Sequence, residues 1–129
     1  MIELARIFLA KAEESLEGGE SEFVNGRYNN CAKGCYYACF QGAVHALIQE
    51  GIEPRAGRGH NFVQSVFVGQ LLNRRSRYPS ALRDVLIRGL ELRQAADYRE
   101  VQVTEIQAAR ALQRARALLE AVRPRGETA

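Results

Sequence analysis

The sequence predicts an all-α protein, folded as an antiparallel up-and-down bundle of four to five helices. Apolar residues recur at three- and four-residue steps along nearly the whole chain, and no alternating strand pattern competes with them. Short segments rich in Gly or Pro separate the periodic stretches. The 129 residues, 47% of them hydrophobic, suffice for one core. We therefore expect one domain over residues 1–124 and a short C-terminal tail over 125–129.

The first two predicted helices have the clearest apolar stripes. The first begins near residue 2 and is weakened at Gly18-Gly19, since Gly costs a helix about 1 kcal/mol relative to Ala. It ends near Phe23-Val24, before the turn signal Asn25-Gly26. The second helix stops at Gly51. Its stripe of mostly small side chains comprises Tyr28, Cys31, Ala32, Cys35, Cys39, Gly42, Ala43, Ala46 and Leu47.

Three further helices follow a central loop. Residues 51–60 hold three Gly and one Pro, which indicates a loop. The third helix is predicted over Asn61–Leu72, and Pro79-Ser80 opens the fourth. Thr104 with Gln107 three residues later forms a capping box at the start of the fifth, which runs to Pro124.

The three cysteines and the N-terminus bear on the compartment. Cys31, Cys35 and Cys39 are an odd set on one helix face, which is not the disulfide framework of a secreted domain. We expect them to be small core residues, since no fourth ligand for zinc is evident. The chain has no run of about 18 apolar residues and no signal-peptide pattern at its start. These features predict a cytoplasmic protein with no membrane contact, no metal and no cofactor.

Positive charge is concentrated in the middle of the chain. Between residues 55 and 88, seven arginines stand against Asp84 alone. Such a segment is typical of a protein that meets phosphate or an acidic partner, although the same charges can also form a solvated surface. The arginines are Arg55, Arg58, Arg74, Arg75, Arg77, Arg83 and Arg88.

Two stretches carry a family resemblance. They read NGRYNNCAKGCYYACFQGAVHAL at residues 25–47 and ELRQAADY at residues 91–98, and His60 follows the central loop. Together they resemble HEPN domains (higher eukaryotes and prokaryotes nucleotide-binding), over about residues 2–122. The resemblance implies a helical bundle, often dimeric, commonly encoded beside a minimal nucleotidyltransferase as a toxin–antitoxin pair or defence module.

The resemblance also bears on catalysis. Many HEPN domains are metal-independent RNases that pair an Arg with a His four to six residues later, usually completed across a dimer. Here the residue five positions after Arg93 is Tyr98, and the histidines, His45 and His60, lie outside this motif. A tyrosine, with an ordinary pKa of about 10, is a poor acid or base near neutral pH. The resemblance therefore supports the fold and the partner class more than the nuclease activity.

The predicted site residues have functional and structural interpretations. Arg93 is predicted to hold a phosphate, oriented by Asp97 four residues later; the pair can equally tie its helix to the bundle. Tyr98 has three interpretations: it offers a hydroxyl to the site, it caps the end of the helix, or a partner nucleotidyltransferase modifies it. Tyr36 and Tyr37 diverge by about 100° on their helix, so one is expected in the core and the other in a cleft or dimer face.

Three hypotheses follow, and the sequence leaves them open. The first is a dimeric HEPN-like module that binds nucleotide or RNA and partners a nucleotidyltransferase-type protein. Its binding residues are Arg93, Asp97, Tyr36, Tyr37, Arg74, Arg75 and Arg77. The second is a metal-independent endoribonuclease toxin using Arg93 with His60 or Tyr98 as acid or base. His60 can equally cap the third helix. The third is a purely structural dimeric helical protein.

Overall fold

A computed structural model describes residues 2–52, 59–74 and 77–124. It confirms the all-α class, with five α-helices in the part of the chain that it describes. They are α1 (Ile2–Val24), α2 (Tyr28–Gln49), α3 (His60–Val66), α4 (Val85–Tyr98) and α5 (Glu105–Val122). The predicted tail, 125–129, lies outside the described residues.

Helices α1 and α2 form a closely packed hairpin. Gly26 makes the turn between them at a φ of +75°, a conformation that favours glycine. As predicted, α1 continues through Gly18 and Gly19 and ends at Val24. A Cβ on Gly34 of α2 would lie 3.1 Å from the Cα of Gly19. The missing side chains therefore let the two backbones approach, and this packing offsets the low helix propensity.

Helix α2 is the centre of the bundle, since α1, α4 and α5 all pack on it. Its three cysteines are buried, as predicted from their spacing. His45 is also buried, and its Nδ1 donates to the carbonyl oxygen of Ala5, 2.7 Å away. Small side chains on α2 thus allow three helices to pack around it.

The region between α3 and α4 differs from the prediction. A regular third helix was expected over Asn61–Leu72, but α3 ends at Val66 and a π-helical segment follows over Phe67–Arg74. The ring of Phe67 is fully buried and stacks on Tyr78, with 5.9 Å between ring centroids. Periodicity of apolar residues does not distinguish a π-helix from an α-helix, because both bury one face.

The last two helices begin at different kinds of signal. Pro79-Ser80 was predicted to open the fourth helix, but a 3-10 turn over Ser80–Leu82 comes first and α4 begins at Val85. The capping box at Thr104 is present, with Gln107 N–H donating to the Thr104 hydroxyl at 3.1 Å.

Within the described ranges, no helix has the length and apolar character to cross a membrane.

Candidate functional site

A cluster of polar and aromatic side chains lies where α4 and the start of α3 meet α2. The pairing of Tyr36 with Gly89 and of Lys33 with Asp97 shows that α2 and α4 run antiparallel. This arrangement brings together five residues singled out from the sequence and one that was not. We call it the tyrosine–arginine cluster; its members are Lys33, Tyr36, Tyr37, His60, Arg93 and Asp97.

Tyr36 is the buried centre of the cluster, with 4% of its surface exposed. Its hydroxyl is 3.0 Å from Nδ1 of His60, the first residue of α3. A Cβ on Gly89 would lie 3.3 Å from the Tyr36 ring, so the absence of a side chain there lets α4 seat against the tyrosine. His60 does not cap α3 through its side chain; it hydrogen bonds to the tyrosine instead.

Arg93 stacks against both tyrosines of the pair. Its Cζ lies 5.5 Å from the ring centroid of Tyr36 and 5.4 Å from that of Tyr37, within the range of cation–π attraction. Tyr37 is 40% exposed, whereas Tyr36 is buried. The predicted division of the two tyrosines between core and surface is confirmed, and the two rings hold the guanidinium at the surface between them.

Asp97 joins the two cations of the cluster. Its Oδ1 lies 2.7 Å from Nζ of Lys33, and its Oδ2 lies 3.6 Å from Nε of Arg93. The pairing of Arg93 with Asp97 expected from their spacing is therefore present. Lys33 was not singled out from the sequence, although it stands three residues before Tyr36 and hence on the same helix face. Two cations and one carboxylate leave a net positive charge at a partly exposed surface.

Burial shifts the pKa of the buried Tyr36 hydroxyl and that of the partly buried His60 imidazole. It raises the pKa of Tyr36, against a lowering by the nearby Arg93 guanidinium, and it lowers the pKa of His60. At neutral pH the tyrosine keeps its proton and the imidazole is neutral. Nε2 of His60 has no hydrogen-bond partner among the described residues. Depending on its tautomer, it can accept a proton or donate a hydrogen bond.

The remaining predicted site residues lie elsewhere. Tyr98, the last residue of α4, is 80% exposed and is not part of the cluster. Arg77 pairs with Glu50 at 3.2 Å, and Glu50 stands about 20 Å along α2 from Tyr36. Arg74 is exposed at the end of the π-helical segment. Arg75 lies outside the described residues, as do Arg55 and Arg58.

The chemistry of the cluster is that of an anion site with a neutral acid or base beside it. A guanidinium held by aromatic rings keeps donors free for phosphate, which it can bind through two parallel hydrogen bonds. Among the described residues, no three His, Cys, Asp or Glu side chains are grouped so that they could hold a metal ion. The side chains of the cluster can form hydrogen bonds, carry charge and exchange protons.

Comparison with known families agrees with this description. The chain matches the family model of the HEPN domain over residues 5–125. No curated protein matches it. The family match covers nearly the whole bundle, including every member of the tyrosine–arginine cluster.

Proposed function

Because the chain belongs to the HEPN domain family, we propose that it binds a nucleotide or RNA through the tyrosine–arginine cluster. In this proposal it is one half of a toxin–antitoxin or defence-type pair whose other half is a nucleotidyltransferase-type protein. One observation carries the ligand part: Arg93 is held over two tyrosine rings with 29% of its side chain exposed, next to Lys33.

Each group of the cluster has a counterpart in a nucleotide. The Arg93 fork and the Lys33 ammonium match phosphate oxygens. The half-exposed ring of Tyr37 offers a face on which a base can stack, a contact worth about 1–3 kcal/mol in single-stranded complexes. Asp97 lies closer to Lys33 than to Arg93, so the guanidinium retains donors for a ligand.

A specific observation also favours the second candidate, a metal-independent endoribonuclease. His60 flanks the same tyrosine ring as Arg93, and it is neutral at neutral pH. In the reaction, Nε2 of His60 takes the proton of a ribose 2′-hydroxyl, and the 2′-oxygen bonds to the adjacent phosphorus. The bond from phosphorus to the 5′-oxygen then breaks, and this oxygen takes up a proton from solvent water, leaving a 2′,3′-cyclic phosphate. The His60 imidazolium returns its proton to the solvent. Tyr98, which is exposed outside the cluster, is the weaker choice for the proton transfer.

The protein partners are proposed from exposed apolar residues. Tyr98, Val101 and Ile106 are each more than 60% exposed around the connection from α4 to α5. Covering such side chains is a common use of a homodimer interface. The third candidate, a purely structural dimer, uses this interface without any ligand at the cluster.

The deciding experiment combines binding and cleavage of a mixed-sequence RNA in the presence of a metal chelator. Arg93→Ala removes the phosphate fork, and Asp97 keeps Lys33 as a partner, so the fold should tolerate the change. Loss of a charged hydrogen bond predicts about 10- to 100-fold weaker binding. Arg6→Ala, an exposed arginine of α1 outside the cluster, is the matched control and should bind as the wild type does.

The outcomes separate the candidates. Binding without cleavage, lost in Arg93→Ala alone, supports the binding module. Cleavage that needs both Arg93 and His60 supports the endoribonuclease. If a folded wild type neither binds nor cleaves, the ligand proposal is wrong and the structural dimer stands, provided that light scattering shows a dimer. Failure to co-purify with a nucleotidyltransferase encoded beside it removes the partner proposal.

A further inference from the structure

A second surface with unbalanced positive charge lies between α4 and α5. Both helices pack on α2 far more than on each other, and this leaves an open groove of about 660 Å³ between them. The groove is on the other side of α4 from the cluster, because residues two positions from Arg93 point about 160° away from it. Glu91 and Ala95, at those positions, line the groove.

Of the residues that the structure describes, four arginines and two carboxylates, those of Asp84 and Glu91, line the groove. Arg88 forms a long ion pair with Asp84, at 3.9 Å. The other three have no ion pair with any described residue. They are Arg99, at the end of α4, and Arg110 and Arg114 on α5.

The arginines also crowd one another. The pKa of Arg114 is lowered, first by burial and also by the nearby charges of Arg88 and Arg110; the thiolate forms of Cys39 and Cys35 would oppose this lowering in part. The guanidinium stays charged at neutral pH, since an arginine side chain ordinarily loses its proton only in strongly basic solution. Like charges held together at the edge of a bundle repel unless an anion lies between them. An anionic ligand would relieve this repulsion.

We propose that this groove binds the phosphate backbone of an RNA strand. Arg88 and Arg99 are about 16 Å apart along α4, so the groove is long enough to contact several successive phosphates. Arginine-rich, wet and strongly positive surfaces are typical of nucleic-acid interfaces. No aromatic residue is among the described residues that line the groove, so the proposed contacts are with the backbone and independent of base sequence.

An acidic protein segment fits the groove less well. The cores of protein interfaces are depleted of charged residues and carry apolar anchors. Here Ile87, Leu92 and Ala95 are the apolar residues of the lining, and Ile87 is 45% exposed. The inference goes beyond the proposed function, because the groove and the cluster are different surfaces and either can bind RNA without the other.

The test measures the affinity of a labelled, mixed-sequence single-stranded RNA as a function of salt. The double variant Arg99→Gln/Arg110→Gln removes two exposed groove charges and breaks no ion pair among the described residues. With a slope of about −0.7 per phosphate contact, the plot of log K against log salt should become shallower by about 1.4. The affinity at 0.1 M salt should fall about 25-fold, by the same relation.

The matched control is Arg6→Gln/Lys11→Gln, which removes the same charge from the exposed face of α1. Its slope and affinity should remain near those of the wild type, and melting curves establish that both variants fold. A groove variant that keeps the wild-type slope overturns the inference. The inference is also overturned if the wild-type protein does not bind RNA but binds an acidic peptide through the groove arginines.

The proposal for the groove and the proposal for the cluster can be refuted independently of each other. If Arg93→Ala abolishes RNA binding while the groove variant changes nothing, the proposed function holds and the groove inference falls. If the groove variant loses affinity and slope while Arg93→Ala binds as before, the groove inference holds and the ligand proposal for the cluster falls. Equal losses in the groove variant and in the α1 control would show that only net charge matters, and this also overturns the inference.

Discussion

The contact between α1 and α2 can be tested with one methyl group. An ideal Cβ at Gly34 would lie 3.0 Å from the carbonyl oxygen of Ser15 and 3.1 Å from the backbone nitrogen of Gly19. These are backbone atoms of α1, which cannot rotate away, so Gly34→Ala must push the two helices apart. A Cβ at Gly18, in the middle of α1, would meet nothing within 4 Å.

The two substitutions therefore have opposite expected effects. Each gains about 1 kcal/mol of helix propensity from replacing Gly by Ala. Gly18→Ala keeps this gain and should be more stable than the wild type. At Gly34, overpacking costs about 1–3 kcal/mol, which leaves a net destabilisation of up to about 2 kcal/mol. The difference between the two variants is then about 1–3 kcal/mol.

Thermal unfolding by circular dichroism measures this difference directly. For a chain of this size, about 1 kcal/mol corresponds to roughly 4 °C in Tm, so the two variants should differ by about 4–12 °C. Urea unfolding gives the free energies independently. A Gly34→Ala protein as stable as Gly18→Ala would show that the helices are not in the backbone contact described above.

Two further substitutions probe the cluster. Asp97→Asn should lower stability by about 0.5–1 kcal/mol, because two partly exposed ion pairs with Lys33 and Arg93 are lost. It should strengthen anion binding, because the local positive charge is no longer offset; weaker binding by a folded variant would contradict this. His60 has a lowered pKa in the fold, so the unfolded chain binds more protons below about pH 6.5 and stability falls with acidification. The Tm of His60→Gln should therefore decrease less than that of the wild type between pH 7.5 and pH 5. Equal decreases would contradict the lowered pKa of His60.

Two features of the cluster were predictable because they depend on local spacing. Arg93 and Asp97 are one helical turn apart, and adjacent tyrosines must diverge, so their ion pair and their division between core and surface follow from the sequence. That His60 reaches Tyr36 was not predictable, because it depends on how the chain returns after the central loop. Lys33 was missed for the same reason, since its partner comes from α4.

The groove arginines were missed for a different physical reason. Arg110 and Arg114 lie on the outer face of an amphipathic helix, and such charges usually form a solvated surface. They line one groove only because α4 and α5 both pack on α2 and stay apart from each other. The distance between α4 and α5 depends on how three helices pack together, and the apolar pattern of a single helix does not predict it. The basic segment instead predicted Arg77 as a binding residue, but Arg77 pairs with Glu50 at the far end of α2.

The two halves of α4 are attached to the bundle in different ways. All of its buried residues, Val85, Leu86 and Gly89, lie in its first five positions. Beyond Gly89, the contacts of Arg93 and Asp97 with α2 include ion pairs and ring contacts rather than fully buried apolar side chains. A phosphate ligand at Arg93 would compete for the groups that hold this half of the helix. Because Arg99 and Ala95 on the same half line the groove, the position of one short helical segment would then affect both proposed surfaces.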